Sequence, residues 1–127
     1  MNYDGKILIV DDYSTMRKII RNLLVQLGYT NIEEASNGND ALEKLRSGNY
    51  MLILSDWNME PMTGLQLLKI VRADPNLRHI KFIMVTAESI VANIMAAKQA
   101  GVDNYIIKPF QSNTLRDKLN AVFGKEE

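Results

Sequence analysis

Cysteine is missing from the 127-residue chain, and histidine occurs once, as His79. Without thiols there is no disulfide, thiolate zinc site, iron–sulfur cluster or cysteine nucleophile to consider. One imidazole cannot assemble a histidine metal centre. An excess of charge is absent too, since 15 Lys and Arg face 15 Asp and Glu. Neither a nucleic-acid-binding tail nor a polybasic membrane patch is therefore expected. Long apolar runs are also lacking: the longest, such as Ile7–Val10 and Met51–Leu54, span four residues. A membrane helix needs about 20. The opening Met1–Lys6 is polar and carries Asp4, unlike a secretory leader. The expected compartment is the cytoplasm. Repeats, low-complexity stretches and Gly/Ser/Pro-rich linkers are not found, and a second core would need roughly another 100 residues. One domain over residues 1–127 is the expectation.

What the chain does contain is a short apolar run followed by a helical period, five times over. Lys6–Val10 ends at Asp11-Asp12. Met16, Ile19, Ile20, Leu23, Leu24 and Leu27 then recur at helical spacing until Gly28. Asn31–Ala35 reads as a short strand and Asn37-Gly38 as a turn. A helix follows over 39–46, with Ala41, Leu42 and Leu45 on one face. Met51–Ser55 ends at Asp56, a loop with Pro61 runs to Gly64, and residues 65–72 form a helix closed by Asp74-Pro75. Phe82–Val85 is followed by Thr86, then by an alanine-rich helix over 89–100 anchored by Ile90, Val91, Ile94 and Met95. Asn104–Ile107 precedes Lys108-Pro109, and the last helix, 113–123, turns Leu115, Leu119, Val122 and Phe123 inward. The methionines, Met16, Met51, Met84 and Met95 among them, fall within apolar patterns and read as core packing. His79 reads as a surface residue.

Strict alternation of strands and helices implies an α/β fold, a parallel sheet covered on both faces. The first, third and fourth strands are apolar throughout and belong in the centre. Asn31–Ala35 is too polar for that, and Asn104–Ile107 is intermediate. Right-handed crossovers then give a doubly wound five-stranded sheet in the order 2-1-3-4-5, with five helices.

In such sheets ligands bind beyond the carboxyl ends of the strands. Those ends deliver Asp11 and Asp12, Asp56, Thr86 and Lys108. Three carboxylates in one crevice repel, at about 3–4 kcal/mol per close pair for an effective dielectric of about 20. Either some are protonated or a cation sits among them. Oxygen-only ligands suit a hard divalent ion, most plausibly Mg2+. Lys108 and Thr86 could serve phosphoryl oxygens, and a carboxylate there is a competent nucleophile for phosphorus. Each residue also has an ordinary reading: Asp12 as a helix cap, Thr86 as a loop hydroxyl, Lys108 as a solvated amine. Five of them at predicted strand ends favour the functional one.

Val10-Asp11-Asp12, Ser55-Asp56-Trp57-Asn58-Met59, Val85-Thr86-Ala87-Glu88 and Lys108-Pro109-Phe110 resemble the signature positions of response-regulator receiver domains. Together with the stretch 16–24 they are most similar to the chemotaxis members of that family, with a flavodoxin-like fold. The resemblance implies that Asp56 is the phosphoacceptor, charged by a histidine kinase. It implies that Asp12, Asp56 and the Asn58 main-chain carbonyl bind Mg2+, with Asp11 assisting through water. Thr86 and Lys108 would contact the phosphoryl group, and Lys108-Pro109 would be cis. It further implies that Thr86 moves on phosphorylation, that Tyr105 turns into the vacated space, and that Glu88 and Asn58 tune the lifetime of the modified state. Tyr105 on its own could face inward or outward. Lys118 matches a basic position of the chemotaxis proteins, whereas Ala121 replaces a second lysine. Glu60-Pro61 and Thr63 also depart from the family pattern.

The expected output is phosphorylation-dependent binding to a flagellar motor switch protein by a monomer, with a phosphatase as a further partner and no nucleic acid or membrane. The alternatives are a phosphorelay shuttle or phosphate sink. An enzyme, an aspartate-dependent phosphatase, is disfavoured because Asn58 stands where a second carboxylate would be needed.

Overall fold

The computed structural model describes residues 3–124 except Glu88. Five strands, β1 (Ile7–Val10), β2 (Ile32–Ala35), β3 (Leu52–Ser55), β4 (Lys81–Thr86) and β5 (Asn104–Ile107), alternate with five helices. The helices are α1 (Ser14–Gln26), α2 (Gly38–Ser47), α3 (Gly64–Ala73), α4 (Val91–Gln99) and α5 (Ser112–Phe123). All strand pairs are parallel, in the expected order β2-β1-β3-β4-β5.

Because side chains alternate along a strand, the sheet divides its apolar residues between two cores. Leu8, Val10, Ile53, Phe82 and Met84 face α2, α3 and α4, where they meet Leu42, Leu67, Leu68 and Ala97. Ile7, Ile9, Leu52, Leu54, Ile83 and Val85 face α1 and α5, where they meet Ile20, Leu24, Leu115 and Leu119. β1 and β3 are buried along their whole length, while β2, with Glu33 and Glu34 in its middle, forms an edge.

Four local expectations need correction. Asn37-Gly38 is a helix start and not a free turn: the Asn37 side chain accepts a hydrogen bond from the Asp40 amide, and Gly38 is the first residue of α2. The fourth helix begins at Val91, two residues later than its apolar pattern suggests. Its supposed anchors Ile90, Val91 and Met95 are 61%, 72% and 49% exposed, so Met95 is not core packing. Only Ala97 is buried, with Ile94 half-buried against the first core. In α1, Ile19 is likewise 46% exposed although it shares the apolar period. His79 is exposed as expected.

Charged residues tie the edges. Arg72 of α3 donates to the carbonyls of Gly101, Arg78 and Ile80 and to Asp103, joining α3 to the segments that lead into β4 and β5. On the other edge Glu34 of β2 accepts from Arg17 at 3.0 Å and Arg21 at 2.7 Å. Burial works to raise the Glu34 pKa, but the hydrogen bonds from Arg21 and Arg17 outweigh it and hold the carboxyl below its ordinary 4.5. A depressed carboxylate pKa contributes stability that is complete above the unfolded value and fades as pH falls through the folded one. Glu34→Gln should therefore cost about 1 kcal/mol at neutral pH, a modest figure because the pair is partly solvated. In urea titrations the gap between variant and wild type should close as pH drops below 4.5. A gap that does not change with pH would contradict this account of the pair.

Candidate functional site

The backbone ladder continues one residue past the ends of three strands, and this places the chemistry. The Asp11 amide donates to the Ala35 carbonyl, the Asp56 amide to the Val10 carbonyl, and the Lys108 amide to the Thr86 carbonyl. Each polar side chain therefore inherits its position from the sheet. Thr86, the last residue of β4, is fully buried and pairs in register with Ile107, next to Lys108.

Asp11 is 1% exposed. Its Oδ1 accepts the Tyr13 amide at 2.9 Å, and its Oδ2 faces Lys108 Nζ at 3.1 Å. Burial pushes its pKa above the ordinary carboxylate value; the Tyr13 amide and Lys108 offset only part of this, and the Asp56 charge adds to it. Asp56, at 9% exposure, sits at the boundary with solvent. Its Oδ1 accepts the Trp57 amide at 2.7 Å, and its Oδ2 lies 3.3 Å from the same Lys108 ammonium. Asp12 is exposed. It does not cap α1, whose N-cap is Tyr13 and receives no side-chain cap. The cap reading of Asp12 is thus set aside.

Asp11, Asp12 and Asp56 each bring a carboxylate oxygen within 4.8 Å of the others. Among the described residues they are the one such acidic group. The donor set is oxygen only, from one buried, one rim and one exposed carboxylate, which fits a divalent ion that keeps several waters. The Lys108 ammonium bridging two of the three acids is a direct sign that this crevice demands a cation. Lys108 is therefore neither a solvated surface amine nor a distant group. Asn58 is exposed beside the cluster, in an open hollow of about 300 Å3 shared with Asp12, Trp57, Met59, Glu60 and Thr63.

Sequence reasoning missed two supports of this site. Gly64 opens α3 directly against the loop that starts at Asp56, and a Cβ there would stand 2.1 Å from the Asp56 carbonyl oxygen. That oxygen also accepts the Ser55 hydroxyl at 2.9 Å. The other support is Arg17, which reaches back from α1 to the Asp11 carbonyl. Neither shows in a strand-end pattern, because each lies beyond the strand end, in the first turn of the helix that follows. Lys108-Pro109 is cis as the resemblance implies, and Glu60-Pro61, where the sequence departs from the family pattern, is cis as well.

Tyr105 of β5 is buried at 9% exposure, and Lys118 of α5 is half-buried. Glu88 lies outside the described residues.

The model of the response regulator receiver domain matches residues 7–120. This chain belongs to the receiver family. Its relatives include the chemotaxis protein CheY of Pseudomonas aeruginosa, 52% identical over 120 residues, covering 94% of this chain and 97% of the relative. Chemotaxis protein CheY-3 of Vibrio cholerae is 49% identical over 125 residues, covering 98% and 96%. Among solved structures, the receiver domain of a sensor histidine kinase from Pseudomonas aeruginosa aligns with a TM-score of 0.85 at 27% identity, covering 96% of this chain and 99% of that one. That domain was crystallised with a magnesium ion coordinated in its active-site cleft. This receiver is thus CheY-like in sequence and architecture, a response regulator of the two-component type, and its acidic cluster fits Mg2+. No helix among the described residues is long and apolar enough to cross a membrane.

Proposed function

We propose that this receiver takes a phosphoryl group onto Asp56 from a histidine kinase and, so modified, binds a flagellar motor switch protein. The observation that carries the reading is the convergence of Asp11, Asp12 and Asp56 at the carboxyl edge of the sheet, with Lys108 set against Asp11 and Asp56.

Asp12, Asp56 and the Asn58 main-chain carbonyl are the residues to hold Mg2+, with Asp11 assisting through water. Bound Mg2+ supplies neutralisation of the phosphoryl oxygens during in-line transfer. The rest is the work of the chain. The Trp57 amide fixes one oxygen of Asp56, which orients the carboxylate for attack. An Asp56 oxygen forms the new bond to phosphorus as the bond to the donor's imidazole nitrogen breaks, its electron pair leaving with the imidazole. Lys108 turns from the carboxylates to the incoming phosphoryl oxygens, and the Thr86 hydroxyl donates to the same group. The product is an acyl phosphate on the chain itself, lost later to water. The chain turns over no external substrate.

Output follows from the thinly anchored α4. A helix held by one buried alanine and a half-buried isoleucine opens more cheaply than α1, with its buried Ile20 and Leu24. Ile90, Val91, Met95 and Ile107 leave apolar surface on the α4–β5 side, with Lys118 on the neighbouring α5. Exposed apolar area of this kind marks protein-binding surfaces. Movement of Thr86 and Tyr105 would bias this face toward the partner-binding state.

Incubation with acetyl phosphate tests the chemistry. Intact mass should rise by one phosphoryl group with Mg2+ and stay unchanged with a chelator; an adduct formed equally well without metal would refute the assignment. Tyr105→Ala should keep the rate of adduct formation within about 3-fold while weakening or strengthening partner binding. A collapse of that rate would show that Tyr105 belongs to the chemistry.

A further inference from the structure

We infer that Arg17 is a positioning residue for the divalent cation, holding the peptide between Asp11 and Asp12 so that both carboxylates face one point. The inference rests on the proposed use of this crevice as a Mg2+ site.

Arg17 stands in the first turn of α1, and its guanidinium reaches two places at once. Nη1 donates to the Asp11 carbonyl oxygen at 2.6 Å, and Nε donates to Glu34 at 3.0 Å. Glu34 is itself held by Arg21 at 2.7 Å, and Arg21 also donates to the Ile32 carbonyl at 3.1 Å. The guanidinium is thus braced on the edge strand and presses its fork on the loop after β1. The Asp11 carbonyl belongs to the planar peptide that leads into Asp12. Asp11 has other restraints: the ladder bond to Ala35, the Tyr13 amide and Lys108. Asp12 is exposed, so the plane of that peptide is what directs its carboxylate. Mg2+ demands near-ideal octahedral geometry, which makes its affinity sensitive to such support.

The sign of the effect separates this role from a bystander's. Arg17 is a cation beside a cation site. Acting by charge alone, its removal would tighten Mg2+ binding. Acting by position, its removal loosens it. Arg21 provides the comparison, since it shares Glu34 but does not touch the loop.

The test is calorimetric titration of the full chain with MgCl2 in wild type, Arg17→Met, Arg17→Lys and Arg21→Met, with thermal melts of the metal-free proteins. Arg17→Met and Arg17→Lys should raise the Mg2+ Kd about 10-fold, the scale seen when outer supports of metal ligands are removed. The lysine keeps the charge but cannot fork between a carbonyl and a carboxylate, and it serves if the methionine variant fails to fold. Arg21→Met should lower the melting temperature while leaving the Kd nearly unchanged. Equal or tighter binding by the Arg17 variants would overturn the inference, as would equal losses in the Arg17 and Arg21 variants. Wild type that binds no Mg2+ would instead remove the reading of the crevice itself.

Discussion

Asp56→Asn should abolish phosphoryl incorporation from acetyl phosphate, lowering the rate by at least about 1,000-fold. The substitution is nearly isosteric, and its side-chain oxygen can still accept the Trp57 amide bond that Asp56 Oδ1 receives at 2.7 Å. The loop should therefore keep its shape. What the substitution would remove is the anionic oxygen proposed to attack phosphorus, because a neutral amide is a poor nucleophile, and one negative charge of the proposed cation site. In the metal-free protein that same lost charge relieves Asp11, whose pKa the Asp56 carboxylate helps to raise. The substitution also removes one of the two carboxylates that Lys108 faces, at 3.3 Å, so the two effects oppose and stability without Mg2+ should stay within about 1 kcal/mol of wild type. Intact mass after a timed incubation reads the first effect and urea unfolding the second. A persistent adduct would remove Asp56 from its assigned role. An adduct lost only because the protein unfolds would show that the carboxylate was structural.

Lys108→Met should have the opposite signature. The ammonium lies 3.1 Å from Asp11 and 3.3 Å from Asp56, with its own side chain 14% exposed. Its loss leaves two poorly hydrated carboxylates facing each other. Breaking such a cluster from one side costs about 3 kcal/mol, limited by protonation of one acid. Addition of Mg2+ should restore more stability to this variant than to wild type, because the ion no longer competes with a resident cation. Removal of that charge should lower the Mg2+ Kd by about 10-fold. Adduct formation should nonetheless slow, since no ammonium remains to meet the phosphoryl oxygens. Melting curves with and without MgCl2 read the coupling. Tighter Mg2+ binding together with unchanged metal-free stability would mean that Lys108 is not the counter-ion the distances describe.

The central part of this site was legible because parallel strands impose it. β1, β3 and β4 are almost continuous apolar runs, and the polar residues that close each run land at one edge of the sheet. Asp11, Asp56 and Thr86 could be placed together before any coordinates, as could the order of the strands. The choice between protonated and cation-bound carboxylates omits a third source of charge, since Lys108 sets an ammonium against Asp11 and Asp56 from within the chain.

The misplaced residues share one cause. Periodicity reports which side chains are apolar, and burial depends on what the fold sets against them. In α4 the pattern of Ile90, Val91, Ile94 and Met95 suggests four anchors, but three of these residues are exposed. The residue of α4 that is buried is Ala97, which joins the first core. Ile19 fails for the same reason. Arg17 and Glu34 are 17 residues apart and meet because β2 lies beside β1, the strand that α1 follows. Gly64 read as the end of a loop, whereas its missing side chain is what allows α3 to begin against the Asp56 carbonyl.

A crystal soaked in Mn2+, located by its anomalous signal, is the most direct measurement of all. One ion is expected at the rim, ligated by Asp12, Asp56 and the Asn58 carbonyl, with Asp11 nearby through water and Lys108 withdrawn from Asp56. A rim without metal under saturating Mn2+, or an ion bound elsewhere while Lys108 keeps both carboxylates, would contradict it.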